Sequence, residues 1–133
     1  MKVLKKTGKW LMSIAAAFAA AIIITALVMA AVQIKPAIVV SGSMEPAIHT
    51  GSLVLIDAKD ALPEKGDIIA FRRGDAFVVH RVCGMSGNDY LTKGDANKFR
   101  DPGTVCQDQI VGKTLFSIPR AGYVLRMFQG KRK

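Results

Sequence analysis

The sequence contains few of the residues from which disulfide-rich and metal-binding proteins are built. It has two cysteines, Cys83 and Cys106, and two histidines, His49 and His80. Two cysteines are too few for a disulfide framework, and their spacing matches no common zinc pattern. We therefore expect neither a metal ion nor an organic cofactor. The sequence leaves open whether Cys83 and Cys106 form one disulfide or remain two free buried thiols.

Acidic residues are absent from both ends of the chain. Residues 1–9 carry four lysines and residues 120–133 carry five basic residues, with no aspartate or glutamate in either segment. The residues between them hold ten basic and ten acidic side chains, so the formal net charge of +9 comes from the ends. Basic ends around a balanced middle fit a membrane surface better than a nucleic-acid groove. We predict membrane lipid as a partner and no nucleic acid.

Charge is also absent from residues 10–34, most of which are Ala, Ile, Val, Leu, Met or Phe. At about 1.5 Å per residue, a helix of this length crosses the roughly 30 Å hydrocarbon core of a bilayer. A cleavable signal peptide is the alternative, with Val28-Met29-Ala30 as its cleavage site, but signal-peptide cores cover only about 7–15 residues. The run therefore favours a retained anchor. The lysines before it predict a cytoplasmic N-terminus and an extracytoplasmic domain.

After the apolar run, the sequence changes to short stretches rich in Val, Ile and Phe, separated by Gly, Pro and Asp. This texture predicts a mainly-β fold class: a small β domain over residues 35–119, preceded by one transmembrane helix. The basic tail over residues 120–133 is either an amphipathic segment at the membrane interface or a frayed end. Strands are predicted at Ala37–Val40, Leu53–Asp57, Asp67–Arg72, Ala76–Val82, Asp89–Thr92 and Gln109–Phe116, with a tight hairpin turn at Arg73-Gly74-Asp75.

The hexapeptide Ser41-Gly42-Ser43-Met44-Glu45-Pro46 follows the apolar run closely. Glycine between two serines lets the backbone turn sharply, which can present the Ser43 hydroxyl at a surface and aim its N–H at a developing oxyanion. These are the requirements of a serine nucleophile. The same residues are also common in ordinary polar turns.

A serine hydroxyl is a poor nucleophile until a neighbouring base takes its proton. Strand alternation places His80 on the same face as Val78 and Val82, where it is either such a base or a packed polar side chain. His49, six residues after Ser43, is interpreted as a structural or rim residue.

Two aspartates can orient a histidine base, Asp95 and Asp101. The carboxylate is needed because it fixes the tautomer of the imidazole and stabilises the imidazolium. The residues alone do not choose between them, and Asp101 is also consistent with a plain Asp-Pro turn.

Together with Val79-His80-Arg81-Val82 and Lys93-Gly94-Asp95-Ala96-Asn97, the serine hexapeptide resembles the type I signal peptidase family. The resemblance is to the branch that uses histidine as the base, found in the endoplasmic reticulum, archaea and Gram-positive bacteria. It extends from the apolar segment to about Phe116. It implies a membrane-bound serine endopeptidase that cleaves N-terminal signal peptides from secreted preproteins.

The resemblance also assigns roles to individual residues. It implies Ser43 as nucleophile, His80 as general base and Asp101 as the acid of the triad. Ser41 corresponds to a side-chain oxyanion donor, and Asp95 to a group that shapes the site. Many bacterial relatives use lysine in place of the histidine; a lysine must lose several pKa units before it can act as a base, whereas histidine starts near 6.5.

Further expectations follow from the resemblance. Preproteins are the substrates, the secretion machinery is a candidate partner, and the protein spans the cell membrane once. Val39, Val40 and the range Ile68–Phe71 are expected walls of the substrate cleft.

A catalytically inactive anchored β domain that binds exported proteins is the alternative function. A self-cleaving Ser-Lys peptidase of the repressor type fits less well, because the chain has an anchor and a histidine in place of lysine.

Overall fold

The computed structural model describes residues 2–59 and 62–124, and the chain divides into two units, one extending to Val32 and one beginning at Gln33. The first unit is a single long helix, and the second is an antiparallel sheet. Their elements are α1 (Lys2–Ala31), β1 (Ile34–Ile38), β2 (Leu53–Asp57), β3 (Ile68–Arg73), β4 (Ala76–Ser86), β5 (Asp89–Lys93), a 3₁₀ turn (Gln107–Gln109) and β6 (Ile110–Ile118). The fold is mainly β, as the sequence predicts.

Helix α1 is long and apolar enough to cross a membrane over Lys6–Ala31, and an 18-residue stretch within it has a mean hydropathy of 2.6. Alanine, leucine and methionine favour the helix, and no proline or glycine interrupts it after Gly8. Thr25, one of its few polar residues, donates its hydroxyl to the Ala21 carbonyl at 2.8 Å, so this group is satisfied within the helix. The helix ends before Gln33, whose φ of 57° is left-handed and turns the chain out of the helical path.

The second unit contains a six-stranded sheet in the order β1-β2-β6-β3-β4-β5, with antiparallel neighbours throughout. The last strand, β6, therefore lies between β2 and β3. Every predicted strand is present, and β2 has the predicted bounds. The first strand begins at Ile34 instead of Ala37, because its pairing with β2 runs from Ile34 opposite Asp57 to Ile38 opposite Leu53.

Strand β4 is longer than predicted because it pairs along its length with two partners. Its first half pairs with β3 and its second half with β5, so it continues to Ser86. The hairpin between β3 and β4 closes at the pair Arg73 and Ala76, which leaves Gly74 and Asp75 as the loop. Gly74 has a φ of 59°, the left-handed conformation that two-residue hairpin loops require.

The core consists of two clusters on the two faces of the sheet. In β3, Ile69 and Phe71 contribute to one cluster and Ala70 to the other, as strand alternation requires. The cluster that contains Ala70 also includes Met44 and Ile48, which are 0% and 3% exposed. The loop after β1 is therefore held by buried side chains on both sides of Glu45-Pro46-Ala47. This loop carries Ser43.

Both cysteines are free in the structure. Cys83 is half-buried and donates its thiol to the Leu91 carbonyl at 3.3 Å. Cys106 is exposed, so the expectation of two buried thiols is wrong for this residue. Of the predicted tail, only Arg120 to Val124 can be described, and a helical turn begins at Ala121; residues 125–133 lie outside the described residues.

Candidate active site

Ser43 lies in the turn that follows β1, and its backbone is anchored by its neighbours. Met44 is fully buried, and its carbonyl accepts the Ile48 N–H at 2.9 Å. Glu45 accepts hydrogen bonds from the Thr50 N–H at 3.2 Å and from the Thr50 hydroxyl at 3.1 Å. These bonds lower the pKa of Glu45. The loop is thus tied down beyond the serine, while the Ser43 side chain remains half-buried.

His80 lies on β4 between the Ser43 hydroxyl and a carboxylate. Its Nε2 is 3.0 Å from Ser43 Oγ, and its Nδ1 is 2.6 Å from Asp101 Oδ2. The side chains of His80 and Asp101 are only 12% and 9% exposed. The ring of Phe71 approaches the imidazole edge-on, with 6.4 Å between ring centroids. A hydroxyl, an imidazole and a carboxylate therefore form one continuous hydrogen-bonded row, within the distances that proton transfer requires.

Asp101 reaches the imidazole because the segment after the Gly94–Arg100 loop returns to β5. The Asp101 N–H donates to the Thr92 carbonyl at 2.8 Å. The Thr92 hydroxyl donates to Asp101 Oδ2 at 2.7 Å. Sequence reasoning missed Thr92. The available signal was the register: Thr92 precedes the Gly-Asp motif by two positions and so shares a face with Gly94.

Asp95 does not contact His80 and instead forms an ion pair with Arg81. Its two carboxylate oxygens accept Nε and Nη2 of Arg81 at 2.8 and 2.7 Å, and Arg81 Nη1 donates to the Gly66 carbonyl at 2.8 Å. The hydrogen bonds from Arg81 lower the pKa of Asp95, and the same bonds raise the pKa of Arg81. Arg81 and His80 are consecutive on β4, so their side chains point to opposite faces. The structure therefore brings Asp101 to the imidazole and Asp95 to the guanidinium.

The Gly94 loop also touches the serine loop. The Ala96 N–H donates to the Ser43 carbonyl at 2.9 Å. A Cβ atom at Gly94 would lie 2.6 Å from the same carbonyl oxygen, closer than real Cβ contacts. Glycine is thus required for this close approach of two backbones. The motif that contains Asp95 supports the serine through its backbone.

Ser41 stands beside the nucleophile. Its Oγ is 3.2 Å from Ser43 Oγ, and either hydroxyl can be the donor. Ser41 is exposed, so its hydroxyl can rotate toward a bound molecule. His49 does not join this group: it is exposed and lines a separate cleft with Glu45 and Tyr123.

A cleft of about 280 Å³ opens over the serine and histidine. Its walls come from the segment after β1 and from the first half of β4, and its lining residues are Ile38, Val39, Val40, Ser41, Ser43, Phe77, Val78, Val79, His80 and Asn97. Val39 and Val40 are where the sequence predicts them. The expectation for Ile68–Phe71 is wrong, because β3 lies inside the sheet and Ile69, Ala70 and Phe71 are fully buried.

Within residues 2–59 and 62–124, no group of three or more His, Cys, Asp or Glu side chains is arranged to hold a metal ion. The groups at the cleft that can take part in acyl transfer are the hydroxyls of Ser41 and Ser43 and the imidazole of His80, and the carboxylate of Asp101 lies behind the imidazole. This is the set of groups from which serine hydrolases are built.

Comparison with known proteins identifies the class. Residues 8–96 match the family described as signal peptidase, peptidase S26. The match covers more than half of the chain, which therefore belongs to this family, as the sequence motifs predict.

Individual relatives are catalytic subunits by name. The chain is 36% identical over 104 residues to "Signal peptidase complex catalytic subunit sec11" of Penicillium rubens, an alignment that covers 68% of this chain and 59% of the relative. It is 34% identical over 102 residues to "Signal peptidase complex catalytic subunit SEC11C" of Homo sapiens, covering 65% of this chain and 53% of the relative. The chain thus spans little more than half the length of these curated relatives. The similarity supports the endoplasmic-reticulum type within the family.

Proposed function

We propose that this protein is a membrane-bound serine endopeptidase that cleaves N-terminal signal peptides from secreted preproteins. The observation that carries the proposal is the row of hydrogen bonds that links Ser43 Oγ to His80 Nε2 at 3.0 Å and His80 Nδ1 to Asp101 Oδ2 at 2.6 Å. Membership of the signal peptidase family supports the choice of substrate.

In the proposed reaction, Ser43 Oγ attacks the carbonyl carbon of the scissile peptide bond while His80 Nε2 accepts the hydroxyl proton. Asp101 holds the proton on Nδ1 and stabilises the imidazolium that forms. The imidazolium then gives its proton to the leaving amine, and the C–N bond breaks to leave an acyl ester on Ser43. Water, deprotonated by His80, hydrolyses the ester and restores the serine.

The oxyanion of each tetrahedral intermediate needs hydrogen-bond donors. We assign this role to the Ser41 hydroxyl and to the Ser43 backbone N–H. Ser41 Oγ lies 3.2 Å from the nucleophilic oxygen, so a rotated hydroxyl can reach the substrate oxygen beside it. Preorganised donors of this kind account for a large part of the rate enhancement in acyl transfer.

The cleft supports an extended peptide as substrate. Its walls are mainly aliphatic and aromatic, from Ile38, Val40 and Phe77 to Val79, and the Ser43 and His80 side chains open into it. A cleft of about 280 Å³ has room for small side chains near the scissile bond. Small residues before the cleavage site are the mark of signal peptides.

Helix α1 serves in this proposal as the anchor, with residues 1–9 in the cytoplasm and the β domain on the extracytoplasmic side of the cell membrane. Four lysines precede the apolar run, and Lys35 alone follows it closely, which is the charge bias of that orientation. The anchor holds the serine near the bilayer, where the apolar segment of a preprotein delivers its cleavage site at high effective concentration.

The proposed partners are preproteins and membrane lipid, with the secretion machinery as a further candidate. Because the relatives are named as catalytic subunits of a complex, accessory subunits are also candidates. The basic ends serve the membrane surface, and no nucleic-acid partner is proposed.

The test is cleavage of a preprotein by the detergent-solubilised full chain. We expect the wild type to release a mature protein whose N-terminus, identified by mass spectrometry, follows small residues. Ser43→Ala should bind preprotein and release none. Binding without cleavage by the wild type would favour the inactive β domain, and equal cleavage by both forms would exclude Ser43 as the nucleophile.

A further inference from the structure

The Asp101 carboxylate has a second donor besides the imidazole, the buried hydroxyl of Thr92. We propose that Thr92 is a positioning residue that holds the Asp101 carboxylate in line with His80 Nδ1. The inference rests on the proposed function, because it assigns Thr92 a part in the same proton-transfer row. Thr92 does not touch the cleft and acts through Asp101.

Thr92 holds Asp101 through two hydrogen bonds, one from its backbone and one from its side chain. The Thr92 carbonyl accepts the Asp101 N–H at 2.8 Å, and the Thr92 hydroxyl donates to Asp101 Oδ2 at 2.7 Å. The second bond fixes the rotation of the carboxylate, since its acceptor is the same oxygen that faces His80 Nδ1 at 2.6 Å. With both donors in place, Asp101 Oδ2 is already within hydrogen-bonding distance of His80 Nδ1 before substrate binds.

Burial makes this hydroxyl effective. Thr92 is 1% exposed and Asp101 is 9% exposed, so water has little access to replace a missing donor. A hydrogen bond to a charged group is stronger than one between neutral groups, and a buried acceptor that loses its partner finds no substitute.

The sheet register explains why position 92 reaches the site. Thr92 lies directly opposite Val82 in the pairing of β4 with β5. Val82 and His80 are two residues apart on β4 and share a face, so Thr92 and His80 are diagonal neighbours on that face. The backbones of Tyr90 and Val105 exchange two hydrogen bonds of 2.9 Å, which hold the Asp101 segment along β5.

The first test compares Thr92→Val with Thr92→Ser in the preprotein assay. Valine keeps the shape and the strand preference but removes the donor, and serine keeps the donor. We expect Thr92→Val to lower kcat about tenfold with KM within about twofold, since a preorganising group acts on the chemical step. Thr92→Ser should stay within about threefold of wild type. Unchanged kcat in Thr92→Val would overturn the proposal.

Thr104→Val is the matched control. The Thr104 hydroxyl donates to Asp89 Oδ2 at 2.9 Å, so this variant also removes a threonine–aspartate hydrogen bond at the same sheet edge. Thr104 is exposed and its aspartate does not contact His80, so we expect wild-type kcat. An equal loss in both valine variants would mean a general weakening of the edge and would also overturn the proposal.

The second test places Thr92→Val in an Asp101→Asn background. A residue that acts through Asp101 has little left to contribute once the carboxylate is gone, so we expect a further loss of less than about twofold. A full additional tenfold loss would show that Thr92 acts by some other route. If Thr92→Val does not fold, Thr92→Ala removes the same donor with a smaller side chain, and unchanged kcat in that variant would again overturn the proposal.

Failure of this inference is distinguishable from failure of the proposed function. If the wild type cleaves preproteins and Ser43→Ala does not, the function stands whatever Thr92→Val does. If neither cleaves, the proposed function fails, and with it the role of Thr92.

Discussion

The two faces of β4 hold two pairs of side chains that differ in what they can do. On one face, His80 and Asp101 are almost buried, and the imidazole keeps a second nitrogen for Ser43 Oγ. On the other face, Arg81 and Asp95 are 35% and 21% exposed, and Nη1 of the guanidinium donates to the Gly66 carbonyl. A histidine exchanges a proton near neutral pH, whereas an arginine does not. His80 and Arg81 are consecutive on β4, so the strand directs a group that can exchange a proton to one face and a structural ion pair to the other.

The largest effect on kcat is expected for Asp101→Asn, which changes the carboxylate that contacts the His80 imidazole. This variant keeps the size of the side chain but cannot hold the required tautomer of His80 or stabilise the imidazolium. We expect kcat to fall by about 10³ to 10⁴. The measurement is single-turnover cleavage of a preprotein. A fall of less than tenfold, in a variant that unfolds at the wild-type temperature, would mean that Asp101 has a structural role, like Asp95.

A smaller effect is expected for Ser41→Ala. It removes a hydroxyl that lies 3.2 Å from Ser43 Oγ and leaves the His80–Asp101 and Arg81–Asp95 pairs in place. Loss of one oxyanion donor typically lowers kcat by about 10² to 10³. KM should change little, because the interaction forms only in the transition state. Steady-state kinetics check this, and a change in KM alone would make Ser41 a substrate contact instead.

The smallest effect on catalysis is expected on the opposite face. Asp95→Asn removes the charge from a bidentate pair and should lower kcat by no more than about fivefold, because the row from Ser43 to Asp101 stays intact. Its effect on stability should be about 1 kcal/mol or less, since both groups are partly exposed. For a domain of this size that is a loss of at most roughly 4–8 °C in Tm, measurable by thermal unfolding.

The stability effect should depend on pH with a definite sign. Hydrogen bonds from Arg81 lower the pKa of Asp95 in the folded state. The pair therefore stabilises the fold above the unfolded value of about 3.9 and loses that contribution as pH falls through the folded value. The Tm difference between wild type and Asp95→Asn should be full at pH 7 and shrink below about pH 4. A difference that stays constant as pH falls below about 4 would show that shape, not charge, matters at this position.

Much of the fold could be predicted from the sequence because the strands are short β-branched runs with clear turn residues between them. Leu53–Asp57 and the Gly74 hairpin are local features and appear as expected. The ends of the strands were harder to predict, because pairing with a neighbouring strand decides them. Ile34 is in a strand because it pairs with Asp57, and Ser86 because it pairs with Asp89 across the turn between β4 and β5.

The site could be predicted only in part. The motifs contain Ser43 and His80, the family resemblance adds Asp101, and the structure brings the three within hydrogen-bonding distance of one another. The choice between Asp95 and Asp101 depends on which face of β4 each loop meets, and residue spacing does not contain that information. Thr92 was missed because its role depends on cross-strand register with Val82. The Ile68–Phe71 range was misassigned because strand order placed it in the interior.

The position of β6 has a consequence for when this protein can begin to work. Ser43 follows β1 and belongs to the half of the sheet that contains β2, whereas His80 and Asp101 belong to the half that contains β3, β4 and β5. Among the described strands, β6 is the last in chain order and the one that joins these halves in the sheet. A chain without β6 lacks the strand that aligns them, so the contacts of the Ser43 loop alone would have to bring the hydroxyl to a base 37 residues away. On the proposed function, cleavage would wait until β6 has joined the sheet.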